Sequence, residues 1–289
     1  MEQFRLFIEL TRLKKPIGYM LLFWPCAWGL TLAYNFDEEK ITYIFYICLF
    51  LAGAILMRSA GCIINDIADR KFDKEVFRTK DRPIASGKIS IFQGIVYSLI
   101  LCAIAFLVLI QFNYLTIILA MCSMPLAFTY PLMKRYTYWP QLFLGITFNY
   151  GLLLGWTSIE NSINIAAIIF YIGAIFWTLG FDTIYGFQDL KDDEIIGLKS
   201  TSIKFKSKPK FFLNFCYAIF IFNLFLVGYF MQYSKFYYLS LIVVGYQIFY
   251  FQIHRLVIES TESCLKIFKS NNFLGAIVLI SLIIGKTTT

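Results

Sequence analysis

Nine apolar stretches, most of them close to the length that crosses a lipid bilayer, constrain this chain more than any other feature. About 20 apolar residues in a helix span the hydrocarbon core of a membrane. Hydrophobic residues make up 59% of the 289 residues and charged residues only 15%, so we predict one all-α, polytopic membrane domain over residues 1–289. The stretches lie at roughly 17–34, 41–64, 90–110, 114–131, 139–157, 163–181, 211–231, 236–253 and 273–285. The last is the shortest, and it fits a tilted helix, a re-entrant segment, or a helix that extends backward through Ile267 and Phe268.

The lysine and arginine residues divide unequally between the loops on the two sides of these stretches. If alternate loops face one side, the side with the N-terminus receives all but four of the 26 basic residues. The other side has only Lys40, Lys235 and Lys286, and Arg58 lies within a stretch. Short loops rich in Lys and Arg stay in the cytoplasm. We therefore predict an odd number of spans, a cytoplasmic N-terminus and a location in the cell inner membrane.

The same distribution argues against two other classes of function. The net charge is +8, but the basic residues lie in short loops between apolar stretches and no nucleic-acid-binding motif occurs, so no nucleic-acid partner is predicted. The seven cysteines form no C-x-x-C pair, and His254 is the only histidine. A zinc or haem site built on His/Cys clusters is therefore not predicted.

The second apolar stretch ends in a cluster of acids that a basic loop follows. This first acidic cluster consists of Asn65, Asp66, Asp69 and Asp73. Residues four apart lie on one face of a helix, and carboxylates on one face repel each other unless a cation lies among them. Arg78 and Arg82 come next, and guanidinium groups bind phosphate. The pattern predicts a site for a divalent metal and a diphosphate, although a solvated loop between two membrane helices would be polar as well.

The sixth apolar stretch ends in a second acidic cluster on the same predicted side. It consists of Asp182, Tyr185, Asp189 and Asp193, and Lys199 follows in a basic loop. Spacings of i, i+3, i+7 and i+11 place these four residues on one face, if the whole segment is one helix. The halves at about 12–131 and 139–285 then share one plan of span, acidic face, basic loop and span, as in a weak internal repeat.

These clusters carry a resemblance to a known family. The pattern ND-x-x-D-x-x-x-D at 65–73, followed by RT-x-x-RP at 78–83, resembles the first aspartate-rich motif of the UbiA-type intramembrane prenyltransferases. The second cluster resembles that family's second motif, and the segments 57–62 and 130–137 are most similar to its 4-hydroxybenzoate branch. The resemblance implies a bundle of about nine helices around a central cavity. It also implies transfer of a polyprenyl group from polyprenyl diphosphate to the ring carbon ortho to the hydroxyl of 4-hydroxybenzoate, in ubiquinone biosynthesis.

The resemblance further implies Mg²⁺ as the cofactor, the lipid bilayer as the surroundings, and a role for each polar residue. The implied catalytic residues are Asp69, Asp73, Asp182, Asp189 and Asp193. One Mg²⁺ would be held by Asn65, Asp66, Asp69 and Asp73, and another by Asp189 and Asp193. The diphosphate would be held by Arg78, Arg82 and Lys199, and the acceptor by Arg135 (or Lys134), Arg58, Arg12 and Tyr185. Asp182 or another acid of the second cluster would take the phenolic proton.

Two alternative functions follow from the same residues. Another UbiA-type transferase would use a haem, naphthoate or homogentisate acceptor with the same two clusters. A divalent-cation transporter would use the clusters as an ion path, but acids that line such a path should recur at mid-membrane depth. Here the acids lie at one interface, and the arginines beside them would obstruct a cation, so prenyl transfer is favoured.

Overall fold

A computed structural model describes residues 2–76 and 79–288, and all regular secondary structure within those residues is helical. The α-helices are α1 Glu2–Leu10, α2 Ile17–Ala33, α3 Lys40–Ala68, α4 Arg70–Asp73, α5 Ile91–Leu109, α6 Tyr114–Thr129, α7 Pro140–Glu160, α8 Ile165–Gly186, α9 Leu190–Ile196, α10 Thr201–Lys204, α11 Pro209–Phe230, α12 Lys235–Gly245 and α13 Thr261–Thr287. Two 3₁₀ turns, Tyr130–Arg135 and Phe187–Asp189, follow α6 and α8, and a π-helix, Tyr246–His254, continues α12.

The predicted apolar stretches correspond to helices throughout the described part of the chain. Counted together with the 3₁₀ and π segments that continue them, eight helices of the described residues are long and apolar enough to cross a membrane, and α2, with 17 residues, is a shorter apolar helix. These eight helices, together with α2, are consistent with the predicted number of about nine spans. The last stretch is part of α13, a helix of 27 residues that begins at Thr261. Of the three possibilities for that stretch, the backward extension is the one observed.

Local sequence explains where several helices begin and end. The Ser90 hydroxyl accepts a hydrogen bond from the Gln93 N–H, and the Gln93 side chain accepts one from the Ser90 N–H, which together form a capping box at the start of α5. Helices α7 and α11 begin with proline, whose fixed φ suits the first turn. Helix α7 ends at Asn161, which adopts a left-handed conformation with φ 47°, and asparagine tolerates that region better than most residues.

Helices α2, α7 and α8 form the interior of the bundle, and small residues bring their backbones close together. A Cβ atom added at Gly29 of α2 would lie 1.9 Å from the Leu152 carbonyl oxygen of α7, so the two helices contact each other through their backbones. Close approach at small residues is how membrane helices associate without a hydrophobic driving force. Trp28, which is fully buried, packs between the rings of Phe170 and Trp177.

The two acidic clusters lie where long helices give way to short ones. The predicted helical spacing of the first cluster persists beyond the end of α3, because the Asp69 N–H donates to the Asn65 carbonyl and the Asp73 N–H to the Asp69 carbonyl. The second cluster does not lie on one continuous helix as the spacing assumed. Helix α8 ends at Gly186, and a 3₁₀ turn separates it from α9. A 3₁₀ turn has about 3.0 residues per turn rather than 3.6, so the predicted spacing does not describe one continuous α-helical face from Asp182 to Asp193.

Candidate active site

Asp69 is the centre of the first acidic cluster. Its Oδ2 atom accepts hydrogen bonds from Lys134 Nζ at 2.5 Å and from Asn65 Nδ2 at 3.1 Å. Its Oδ1 atom is buried and has no hydrogen-bond partner among the described residues. A buried carboxylate oxygen without a partner is costly, so this atom is suited to a ligand that supplies positive charge. Lys134 comes from the 3₁₀ turn after α6, so the basic segment 130–137 closes over the end of α3.

Arg82 holds the other two carboxylates of the first cluster. Its Nη1 atom lies 3.0 and 2.9 Å from the two carboxylate oxygens of Asp73 and 3.2 Å from Asp66 Oδ1. Asp66 Oδ1 also accepts a hydrogen bond from Arg12 Nη2 at 2.5 Å. Asp66 and Asp73 are buried, and buried charges persist when they are paired and hydrogen-bonded. The predicted diphosphate ligand Arg82 therefore contacts the predicted metal ligands directly.

Arg12 reaches Asp66 from the turn between α1 and α2. Its backbone lies in the left-handed region with φ 54°, a conformation that costs free energy for a residue with a side chain and that clusters at functional sites. Burial opposes the charge on Arg12, but the negative groups around it, Asp66 among them, raise its pKa above the ordinary value. The guanidinium therefore stays charged beside the cluster at every physiological pH.

Arg58 lies two turns before the first cluster, in a seat formed by α2 and α7. A Cβ atom added at Gly18 would lie 2.8 Å from Arg58 Nε, so the absence of a side chain at position 18 makes room for the guanidinium. The guanidinium carbon lies 5.5 Å from the ring centroid of Phe148, a distance at which a cation is attracted to the ring face. Arg58 interacts electrostatically with Asp182 of α8 and with Tyr130. The structure thus brings the end of α3 and the end of α8 to one polar region.

The second acidic cluster is less buried than the first. Asp182 and Tyr185 lie on α8, and the Tyr185 ring packs on Phe268 of α13 with centroids 4.5 Å apart. Asp189 ends the 3₁₀ turn and Asp193 lies in the first turn of α9; both are half-buried. Asp182 interacts electrostatically with Arg58, whereas the other two acids lie on the short elements that follow α8.

Three predicted basic residues lie at the edge of this region or outside the description. Arg135 is exposed; its Nη2 atom donates to the Ala68 carbonyl at the end of α3, at 2.7 Å, and its guanidinium lies over the Phe72 ring. The Lys199 ammonium donates to the Tyr136 carbonyl at 3.3 Å, and the Lys199 N–H bonds to the Lys134 carbonyl at 2.8 Å. Arg78 lies outside the described residues.

The sequence interpretation missed two residues of this region and underrated a third. Gly18 and Tyr130 were not assigned to the site, and Lys134 was given only as an alternative to Arg135. The Lys-Pro-x-Gly pattern at 15–18 and the Tyr-Pro pattern at 130–131 were the available signals. Neither pattern reveals that Gly18 borders Arg58, because the two residues meet only when α2 packs against α3.

The site is an arrangement of ion pairs rather than an assembled metal cage. In the described part of the chain, no three His, Cys, Asp or Glu side chains come together as a metal-binding group. The donor set nevertheless fits Mg²⁺, which prefers oxygen ligands and uses one or two carboxylates with phosphate oxygens. The orphaned Oδ1 atom of Asp69 is such an oxygen. The residues present fit the ion, provided that the lysine and arginine side chains turn away from the carboxylates.

Comparison with known sequences identifies relatives of this chain. The model of the UbiA prenyltransferase family matches residues 22–277. The mitochondrial 4-hydroxybenzoate polyprenyltransferase of Homo sapiens is 44% identical over 280 residues, which cover 96% of this chain and 75% of that protein. The protein of the same description from Arabidopsis thaliana is 40% identical over 287 residues, which cover 99% of this chain and 70% of that protein.

Solved structures share the fold. The apo structure of a UbiA homolog from Aeropyrum pernix K1 has a TM-score of 0.75 at 20% identity and covers 93% of this chain and 98% of that chain. A UbiA homolog from Archaeoglobus fulgidus bound to GPP and Mg²⁺ has a TM-score of 0.73 at 17% identity and covers 98% and 99% of the two chains. At these identities the similarity shows the fold alone.

Proposed function

The chain belongs to the UbiA prenyltransferase family, and on that premise we propose that it is a 4-hydroxybenzoate polyprenyltransferase of ubiquinone biosynthesis. It transfers a polyprenyl group from polyprenyl diphosphate to the ring carbon ortho to the hydroxyl of 4-hydroxybenzoate and releases diphosphate. The observation that carries the proposal is the convergence of three buried carboxylates with Arg12, Arg82 and Lys134 at one end of a membrane bundle. Such a site matches a substrate with a charged head and a tail that is soluble only in lipid.

Each acidic cluster is proposed to hold one Mg²⁺. Asn65, Asp66, Asp69 and Asp73 would hold the first ion, and Asp189 and Asp193 the second. The bound ions would supply positive charge to the diphosphate as it leaves. Support comes from the A. fulgidus homolog, whose structure is described as bound to GPP and Mg²⁺, and from the orphaned oxygen of Asp69.

The basic residues beside the first cluster are proposed to release carboxylates and to bind the diphosphate instead. In the structure Arg82 binds carboxylates through Nη1, and a guanidinium group can also bind a phosphate. When metal takes the carboxylates, Arg82 would turn to the diphosphate together with Arg78, and Lys199 would contribute from its loop. Because these groups hold the negative charge that develops on the leaving group, they would lower the barrier to ionisation.

The acceptor is proposed to bind between α3 and α8. Among the arginines assigned to its carboxylate, Arg135 caps the Ala68 carbonyl and Arg12 binds Asp66. Arg58 remains the best placed, because its neighbours Phe148 and Asp182 line the region between the two clusters. Asp182 would take the phenolic proton. The π faces of Tyr185 and Phe268 would stabilise the allylic cation, and the surrounding helices would exclude water.

The location of the protein involves its insertion in a membrane, the side that the acidic clusters face, and the identity of that membrane. The spans indicate an integral membrane protein, and the acidic clusters are proposed to face the side that receives most of the basic loops. The relatives are described as mitochondrial, so they do not support the cell inner membrane that the charge pattern suggested. The predicted single domain, its two similar halves and its central cavity stay predictions.

A direct assay tests the proposal. Membranes that contain the protein are incubated with 4-hydroxybenzoate, Mg²⁺ and prenyl diphosphates of several lengths, and the products are identified by mass spectrometry. A prenylated 4-hydroxybenzoate with the new bond ortho to the hydroxyl is expected for at least one chain length. Membranes that contain the Asp69→Ala variant serve as the control. Product only with a naphthoate, homogentisate or haem acceptor would replace the proposed acceptor, and no product with any acceptor would overturn the proposal.

A further inference from the structure

A cavity of about 590 Å³ lies at the end of the bundle opposite to the acidic clusters. Its walls come from the turn after α2, the start of α3 and the end of α13. Helix α3 carries Lys40 at one end and Asp66 near the other, and at about 1.5 Å per residue these positions are roughly 39 Å apart. The cavity is therefore separate from the proposed active site, and its volume falls in the range of about 300–1,000 Å³ typical of small-molecule sites.

The charges of this cavity are unusual for the end of the bundle where it lies. Only three basic residues belong to this side of the bundle, namely Lys40, Lys235 and Lys286, and two of the three line the cavity. Asp37 lines it as well. Glu160 also interacts electrostatically with Lys286, so Lys40 is expected to contribute more to binding an anion. One small cavity thus offers two cationic side chains and one carboxylate.

The wall that carries Asp37 and Lys40 is held rigidly. The Tyr34 hydroxyl donates to the Glu39 carbonyl at 2.6 Å, which closes the turn between α2 and α3. The rings of Tyr34, Phe36 and Tyr43 pack against each other with centroids 5.1–5.6 Å apart. The Asp37 N–H donates to the Asn35 side chain at 3.1 Å. A preorganised wall lowers the entropy cost of ordering a ligand.

The surface beside the cavity is apolar. Ile41, Ile44 and Phe45 on the first turns of α3 are 77%, 57% and 52% exposed, and Ile44 and Ile283 also line the cavity. In a chain that spans a membrane, such side chains face acyl chains. The Phe36 and Tyr43 rings lie beside the start of α3, and aromatic residues are enriched at membrane–water interfaces. The occupant should therefore have a charged head and an apolar tail.

We propose that this cavity is a binding site for the headgroup of a zwitterionic phospholipid. Lys40 and Lys286 bind the phosphate, Asp37 binds the ammonium group, and the acyl chains lie along the exposed apolar face of α3. A zwitterionic headgroup is favoured over an anionic one because Glu38 and Glu39 follow Asp37 in the same turn, and these carboxylates repel a lipid of net negative charge. The proposal does not depend on the proposed function.

A lipid-retention experiment tests this site. The protein is reconstituted in nanodiscs that contain equal amounts of phosphatidylethanolamine and phosphatidylglycerol, released into mild detergent, and analysed for bound lipid by native mass spectrometry. The wild type should retain phosphatidylethanolamine in preference to phosphatidylglycerol. The double variant Lys40→Gln/Lys286→Gln should retain about ten- to a hundredfold less phosphatidylethanolamine, because charge-assisted hydrogen bonds to the phosphate are lost. Lys235→Gln, which removes the third lysine of the same side, is the matched control and should behave as the wild type.

A single variant keeps the test decisive if the double variant fails to fold. Asp37 is exposed, so Asp37→Asn should fold, as far-UV circular dichroism would verify. It should keep phospholipid but lose the preference for phosphatidylethanolamine over phosphatidylglycerol. The proposal is overturned if the folded double variant retains as much phosphatidylethanolamine as the wild type. It is also overturned if the wild type prefers phosphatidylglycerol, or if Asp37→Asn leaves the preference unchanged.

Discussion

The two acidic clusters end two helices of the same bundle, yet they differ in burial and in local backbone structure. Asp66, Asp69 and Asp73 are 2%, 2% and 7% exposed, and each binds a lysine or arginine from another part of the chain. Asp189 and Asp193 are half-buried and lie on a 3₁₀ turn and a helix of seven residues. Buried carboxylates require a positive partner, so the first cluster is shaped by its cations. The second cluster lies closer to solvent, and its last two acids lie on short elements.

The largest expected effect comes from removing one carboxylate of each cluster. Asp69→Ala and Asp189→Ala should each lower prenyl transfer by roughly 10³-fold or more, since each would remove a ligand that acts on the leaving group. Asp69→Ala should also lower the free energy of unfolding, by about 1–3 kcal/mol, because the mostly buried Lys134 loses its carboxylate partner. Product formation and thermal unfolding in detergent measure the two effects.

Asp192→Asn is the control for this comparison, because Asp192 is an exposed acid on the same short helix as Asp193. It should keep both activity and stability. An Asp69→Ala variant as stable as the wild type would show that the ion pair with Lys134 does not stabilise the fold.

A smaller effect is expected from Arg82→Lys. A lysine carries the charge but lacks the planar guanidinium whose Nη1 atom contacts both Asp66 and Asp73. The KM for prenyl diphosphate should rise by roughly tenfold, and the KM for 4-hydroxybenzoate should change little. Arg5→Lys, on an exposed arginine of α1, is the matched control. A rise in the KM for 4-hydroxybenzoate alone would show that Arg82 binds the acceptor rather than the diphosphate.

Variants of Arg58 and Arg135 distinguish a contact to the acceptor from a contact within the protein. Arg58→Ala should raise the KM for 4-hydroxybenzoate by about ten- to a hundredfold, and the KM for its neutral methyl ester much less. Gly18→Ala should act in the same direction, because its Cβ would displace the Arg58 side chain. Arg135→Ala, which removes the contact to the Ala68 carbonyl, should change both values by less than about threefold. If Arg58→Ala weakens the acid and the ester equally, Arg58 does not bind the carboxylate.

The smallest effect is expected from Lys199→Ala. Its ammonium donates to the Tyr136 carbonyl and lies 5.7 Å from the Tyr138 ring centroid, so it supports the loop and reaches the diphosphate only by turning. Exposed contacts of this kind contribute about 0–1 kcal/mol, and the KM for prenyl diphosphate should rise by less than about fivefold. A change as large as that of Arg82→Lys would show that Lys199 contacts the diphosphate directly.

Much of the fold was predictable because membrane helices are fixed by local composition. The apolar stretches, their number and the end of α3 at the first acidic cluster all follow from runs of residues within one segment. The break between α8 and α9 was not predictable from the spacing of Asp182, Tyr185, Asp189 and Asp193. An α-helix and a 3₁₀ turn accommodate the same side chains, so the spacing alone does not distinguish them.

The partners of the site residues were less predictable than the residues themselves. Spacing identified Asp66, but its partner Arg12 lies 54 positions earlier, and no pattern in the sequence links the two. Arg135 and Lys134 are adjacent, so composition could not tell which one turns toward Asp69. The packing of the helices decides these contacts, so only the three-dimensional structure reveals them.

The central claim to be tested is that each acidic cluster holds one divalent ion when diphosphate is bound. Mn²⁺, which has a similar preference for oxygen ligands, can be counted by electron paramagnetic resonance in the presence of an unreactive prenyl diphosphate analogue. The wild type should bind two Mn²⁺ per chain, and Asp69→Ala and Asp189→Ala should each bind one fewer. A wild type that binds no Mn²⁺, and that transfers prenyl groups at full rate in excess EDTA, would contradict the account.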